Sequence, residues 1–305
     1  MKARTTTLTR PTLRELAGNG WVVLLRPRIA LMIGFVAFLG AMLATGPADG
    51  LGRSIEAAFW IVLITGSASI FNQVLERDTD ALMERTRERP LVTGEIHARD
   101  ALFFGAVLGV AGTVGLALSF NLLAALLTLG TLATYVAIYT PLKRVSTLNT
   151  LVGAIPGAAP PLLGYVAIRG AVEPWAWMLF AILFVWQFPH FMAIAWMYKE
   201  DYARAGHKML PSVENSAGLA GRSALAYAVV LLPISLLPGV RGDAGPVYAA
   251  GAVLLGLAYL VASAFFAVRE TRGRARAVLL VSLGYLPLLL SLILLDPVVR
   301  AAILL

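Results

Sequence analysis

The 305-residue sequence contains no cysteine and only three histidines. Disulfides, thiolate metal sites and cysteine nucleophiles are therefore excluded. Charge is scarce too: Asp, Glu, Lys and Arg make up 14% of the chain, where soluble domains carry about 25%. A soluble domain of this length needs more polar surface than that. Long segments of polar–apolar alternation are also lacking, which excludes a β-barrel of the outer-membrane type. What is present is apolar: 59% of residues are hydrophobic and the mean hydropathy is +0.79.

The apolar residues fall into nine stretches, at about 29–46, 56–75, 101–120, 122–142, 148–168, 174–198, 222–240, 245–268 and 277–295. Each is close to the length that one membrane-crossing helix requires. The first lies too far along the chain, and is too long, for a signal-peptide core. The reading is an all-α membrane protein, a bundle of nine transmembrane helices. Its organisation is expected to be an N-terminal segment over 1–28, one transmembrane unit over 29–296 and a short tail over 297–305.

With nine crossings and alternating loops, 21 of the 25 bases fall on the side of the N-terminus. Only Arg53, Arg169, Arg241 and Arg300 fall on the other. The positive-inside rule puts the N-terminus in the cytoplasm, so the net charge of +8 follows from topology without a nucleic-acid partner. Acids contribute little to that rule, yet they cluster. Seven of the seventeen, Glu76, Asp78, Asp80, Glu84, Glu88, Glu95 and Asp100, join the second and third stretches. Glu200, Asp201 and Glu214 follow the sixth. Both clusters fall on the base-rich side.

The first cluster reads FNQVLERDTDALMERTRERPLV from Phe71. Asn72, Glu76 and Asp80 stand four apart, so a helix projects them from one face. The second reads WQFPHFMAIAWMYKEDYARAGHKMLPSV from Trp186. Aligned on Asp80 and Asp201, each segment places a proline ten residues on (Pro90, Pro211), a valine two beyond that (Val92, Val213), and a base at Arg87 or Lys208. This is the pattern of an internal repeat whose two copies face each other across a central cavity.

Carboxylates beside guanidinium and ammonium groups at a membrane face suit a diphosphate with its metal. Mg²⁺ takes one or two protein carboxylates and completes its shell with water and phosphate oxygens. Arg and Lys bind the phosphate directly. The candidate diphosphate contacts are Arg85, Arg87, Arg89, Lys143, Arg144 and Lys208. An apolar tail on the diphosphate would run into the bundle, which points to a polyisoprenyl diphosphate ionising to an allylic cation.

At these residues the sequence resembles the UbiA-type intramembrane prenyltransferases, whose first signature is Asn-x-x-x-Asp-x-x-x-Asp. Here it stands as Asn72, Glu76 and Asp80, with Glu in place of the first Asp. Five further strings, DTDALMERTRERPL, YTPLKR, LNTLVGAIPGAAPPLLGY, WQFPHF and KEDYARAGHKMLP, resemble the haem-farnesylating branch of that family, over about residues 22–295. The resemblance implies a nine-helix bundle with a central cavity and transfer of farnesyl from farnesyl diphosphate to the 2-vinyl group of haem B. The product would be haem O, which feeds haem A and terminal oxidase biogenesis. It also implies Mg²⁺, held through the diphosphate by Asn72, Glu76, Asp80 and Asp201. Residence in the bacterial inner membrane follows, with haem A synthase or an oxidase assembly as partner. The second motif departs from the family's Asp-x-x-x-Asp, running Tyr198, Lys199, Glu200, Asp201, Tyr202, so the number of metal ions stays open.

His190 lies inside an apolar stretch, three helical turns before Asp201, where it would serve the haem by axial ligation or by a propionate contact. His97 and His207 read as ordinary loop residues. Gly153, Gly157, Ala158 and Ala159 allow close helix approach, Pro156, Pro160 and Pro161 bend the fifth stretch, and the last three stretches read as an apolar wall. A quinone-precursor acceptor is the nearest alternative. A secondary transporter is more distant, because its polar groups belong near the bilayer midplane rather than at one face.

Overall fold

Backbone N–H and C=O groups in a bilayer must be satisfied within their own segment, so apolar stretches of this length fold as helices. The computed structural model of the chain describes residues 19–45, 50–214, 216–296 and 301. Among them, nine helices are long and apolar enough to cross a membrane: α1 (Pro27–Ala44), α2 (Gly50–Leu75), α3 (Ala98–Ser119), α4 (Leu122–Val145), α5 (Asn149–Arg169), α6 (Pro174–Met197), α7 (Leu219–Val240), α8 (Pro246–Val268) and α9 (Arg272–Leu295). All nine coincide with the expected stretches. Most of the 1–28 segment and of the 297–305 tail, including Lys2, Arg4, Arg10, Arg14 and Arg300, lies outside the described residues.

Several helices begin earlier than their apolar runs. Helix α9 starts at Arg272 because Thr271 caps it, its side chain accepting from the Arg274 N–H. Helix α4 is not a uniform α-helix. Pro141 has no N–H for the Ala137 carbonyl, and its ring would crowd that oxygen. The turn before it widens to a π-turn over Thr134–Tyr139, and Thr140 donates both its N–H and its hydroxyl to the Tyr135 carbonyl.

In the bundle α2 packs on α3, α5 on both α1 and α6, α6 on α7 and α9, and α9 returns to α1. Helices α1 and α5 cross with their backbones in close approach. A Cβ on Gly40 would stand 2.0 Å from the Pro161 carbonyl oxygen, and one on Gly164 2.0 Å from that of Ala37. Only glycine lets these backbones meet. Gly153 and Gly157 are small for a related reason, facing the Tyr139 ring and the Gln187 amide. The last three helices are more than a wall. Tyr248, Tyr259 and Tyr285 are fully buried, with Tyr285 bonded to Ser235 at 2.6 Å and Tyr259 donating to the Trp186 carbonyl at 3.1 Å.

Candidate active site

A cavity of about 460 Å³ opens inside the bundle, apolar through most of its depth and charged at one end. Arg26, Glu76, Asp80, Arg85, Arg89, Lys143 and His207 line the charged end; Trp186, Gln187 and His190 lie among its other lining residues. Every charged member comes from a segment on the base-rich side of the sequence.

Helix α2 ends at Leu75, and after a break at Glu76 (φ −96°, ψ 5°) a short helix, Arg77–Asp80, continues it. The Glu76 N–H still bonds the Asn72 carbonyl at 2.9 Å and the Asp80 N–H that of Glu76 at 2.7 Å. Asn72, Glu76 and Asp80 therefore stay on one face, as their spacing requires, at 0, 5 and 1% exposure. Asp78, off that face, is exposed.

Their roles differ. Glu76 Oε1 accepts from Lys143 Nζ at 2.8 Å. Burial pushes the Glu76 carboxyl up, but the Lys143 charge and hydrogen bond outweigh it and hold the group below the usual range. Asp80 Oδ2 is paired with Arg89, while Asp80 Oδ1 is buried with no protein partner. Burial raises its carboxyl above the ordinary value, Arg89 opposing and the Glu76 charge adding to the rise. Asn72 does not line the cavity: its Oδ1 accepts from Arg26 at 3.2 Å and its Nδ2 donates to Thr140 Oγ1 at 3.1 Å. The amide of Asn72, expected as a metal ligand, bridges Arg26 and α4 here, its oxygen using one of two lone pairs.

The proposed bases divide in the same way. Arg85, Arg89 and Lys143 line the cavity, Arg85 lying 5.4 Å above the Tyr198 ring. Arg87, Arg144 and Lys208 are exposed and outside it; Arg144 reaches the Leu75 carbonyl at 3.5 Å.

Asp201 departs furthest from expectation. Helix α6 ends at Met197, Tyr198 breaks it (φ −115°, ψ 21°), and Asp201 sits in the separate short helix Lys199–Arg204, paired with Arg204. Hydrogen bonds span this break too, Tyr198 N–H to the Ile194 carbonyl at 3.1 Å and Tyr202 N–H to that of Tyr198 at 3.0 Å. The residue that follows His190 and Ile194 along the cavity face is therefore Tyr202, and Asp201 is not a lining residue. The second segment contributes Tyr202 and His207 instead. His207 is buried with neither ring nitrogen bonded. Burial is the main cause that pushes its imidazole down to about 4. Gly206, at φ 68°, makes the turn that precedes it. The Lys208 N–H bonds the Lys143 carbonyl at 2.7 Å, pinning this loop to α4.

Arg26 is a lining residue that the sequence reading did not single out. It is the only described non-glycine residue at positive φ (φ 50°, ψ 64°), immediately before Pro27. Such strain persists only where surroundings enforce it, and it gathers at functional sites.

Among the described residues no group of three His, Asp or Glu side chains forms a ready metal cage. The free Asp80 Oδ1, beside the Glu76 carboxylate, fits a hard cation held jointly with phosphate oxygens rather than by protein alone. Two carboxylates against four lining bases leave a surplus of positive charge for an anionic partner.

Residues 33–291 match the model of the UbiA prenyltransferase family. A protoheme IX farnesyltransferase of Solibacter usitatus is 43% identical over 285 residues, spanning 90% of this chain and 98% of that one. Among solved structures, a digeranylgeranylglyceryl phosphate synthase aligns with TM-score 0.76 at 17% identity, over 94% of this chain and 99% of its own. A UbiA homologue of Archaeoglobus fulgidus bound to DMAPP and Mg²⁺ aligns with TM-score 0.68 at 18% identity, over 91% and 100%. The chain belongs to the UbiA prenyltransferase family, grouped with its protoheme IX farnesyltransferases.

Proposed function

We propose that this multi-pass membrane protein transfers the farnesyl group of farnesyl diphosphate to the 2-vinyl group of haem B, giving haem O. The observation that carries the reading is one cavity with paired acids and bases at its charged end and His190 and Trp186 further along its lining. The relatives' name, protoheme IX farnesyltransferase, agrees with it.

Arg26, Arg85, Arg89 and Lys143 take the diphosphate and stabilise it as the allylic C–O bond breaks. His207, neutral and unbonded, has an N–H available for the same anion. Glu76 and Asp80 would hold Mg²⁺ jointly with phosphate oxygens, and the ion would supply Lewis-acid stabilisation of the leaving group. The farnesyl chain extends into the apolar part, where tyrosine and tryptophan faces surround the cation. The terminal vinyl carbon attacks C1 of the farnesyl cation. Water then adds at the carbon next to the macrocycle and loses a proton, leaving a hydroxyethylfarnesyl group. His190 lies on the haem side. Asn72 and Asp201 enter as positioning residues, and Arg87, Arg144 and Lys208 at most as outer charges near the mouth.

The distribution of bases supports an N-terminus and a charged cavity mouth in the cytoplasm, with the chain in the bacterial inner membrane. Haem A synthase or a terminal oxidase assembly would consume the product.

The test is product mass after incubating the purified protein with farnesyl diphosphate, Mg²⁺ and either haem B or 4-hydroxybenzoate. A farnesylated, hydrated haem formed only with haem B is expected. Prenylation of 4-hydroxybenzoate alone would move the assignment to a quinone precursor.

A further inference from the structure

Ser282 of α9 holds two rings of α6 at once. Its backbone carbonyl accepts from Trp186 Nε1 at 3.1 Å, and its Oγ lies 2.7 Å from His190 Nδ1. The two rings stack, centroids 5.2 Å and planes 26° apart, and both line the cavity. The Ser282 hydroxyl has one proton, and Oγ also lies 2.6 Å from the Leu279 carbonyl oxygen. Two oxygen lone pairs do not approach so closely without a proton between them, so that proton goes to Leu279. Ser282 Oγ is then the acceptor of the second contact, and the proton there belongs to His190 Nδ1. In the neutral ring Nε2 consequently carries the lone pair. Among the described residues His190 forms no hydrogen bond through Nε2.

We propose that His190 Nε2 coordinates the iron of the acceptor haem, with Ser282 as the positioning residue that fixes the tautomer and the ring plane. The proposal rests on haem being the acceptor. A histidine that donates Nδ1–H to a fixed oxygen is arranged as metal-bound histidines are. A propionate contact needs an N–H at Nε2, because a carboxylate only accepts, and the neutral ring has none there. The other cavity histidine, His207, has no partner on either nitrogen to select a tautomer. It belongs to the charged end, with Glu76 and Lys143.

Haem B titration of the detergent-purified protein, read by the Soret band and by EPR of the ferric complex, tests this. The expected result is histidine-ligated haem in the wild-type protein. His190→Ala loses that spectrum and binds haem at least about tenfold more weakly, and added imidazole restores the spectrum. Ser282→Ala weakens binding about tenfold with a shifted spectrum, whereas Ser282→Thr, which keeps the acceptor, restores both. Retained farnesyl diphosphate binding shows that each variant is folded. If His190→Ala fails this control, His190→Met is expected to move the Soret band to that of a thioether ligand. An unchanged Soret band and affinity in the His190 variant would overturn the ligation while leaving haem as the acceptor. Absence of haem binding by the wild-type protein would overturn both.

Discussion

Lys143 Nζ meets Glu76 Oε1 at 2.8 Å across 67 residues of chain, with both side chains buried at the charged end of the cavity. Removing one partner of a buried ion pair strands the other, at a cost of about 3–5 kcal/mol. Glu76→Gln and Lys143→Met are each expected to lower thermal stability in detergent and to cut farnesyl transfer by about 10²-fold or more. The double variant is expected to recover much of the stability and none of the activity. Recovery of both would make the pair a structural tie only.

Asp80 has one oxygen on Arg89 and one with no protein partner. Asp80→Asn keeps the shape and removes the charge. The Mg²⁺ concentration for half-maximal transfer is expected to rise about tenfold or more, and chelation to abolish transfer by the wild-type protein. An unaltered Mg²⁺ titration in Asp80→Asn would remove Asp80 from the metal site.

Arg26 combines a left-handed backbone with a cavity-lining guanidinium. Arg26→Ala keeps the strain, whereas Arg26→Gly relieves it, so the glycine variant is expected to be more stable by about 1 kcal/mol. Both lose the same contact to Asn72 and to the diphosphate, so KM for farnesyl diphosphate is expected to rise equally in both. Thermal melts and steady-state kinetics separate the two effects.

His207 is held neutral: its ring is pushed down to about 4 from an ordinary value of 6.5. Below that ordinary value the unfolded chain takes up a proton that the folded chain refuses. Stability is therefore full above about pH 6.5 and falls progressively as pH drops towards 4, by up to about 3 kcal/mol. The groups whose charges act on the ring are Glu76, Lys143, Arg144 and Arg85. His207→Gln is expected to flatten this acid limb in melts taken between pH 4 and 7, relative to the wild-type protein.

What the sequence made legible follows from how local each signal is. The nine crossings are local, because one helix needs about twenty apolar residues in a row. The shared face of Asn72, Glu76 and Asp80 is local too, since i→i+4 hydrogen bonds carry it through the break at Glu76. The limits appear where the path of the chain depends on distant packing. The string YKEDY does not show which side chain takes the cavity face: Tyr202 follows Ile194 and Tyr198 along it, while the Asp201 carboxylate is turned onto Arg204. His207 reads as a loop residue because the bond that seats its loop runs to Lys143, 65 residues away. Gly206 and Pro211 around it were the available hint of a fixed turn. Arg26 reads in the sequence as one more topological base, although its place directly before Pro27 marks a constrained backbone.

The π-turn over Thr134–Tyr139 lets α4 carry one residue more than an α-helix of the same rotation, because its bonds run i→i+5. Each residue of an α-helix advances about 100° around the axis. The wide turn absorbs the extra residue without that rotation, so the helix accommodates Pro141 and still holds Lys143 on the face of Glu76. A deletion in the α-helical part of the crossing before it would instead swing Lys143 by about that angle, and the ammonium would leave its carboxylate and rotate toward lipid or a neighbouring helix. The widened turn is slack taken up inside the helix, which keeps the ammonium in place on a crossing that proline would otherwise bend.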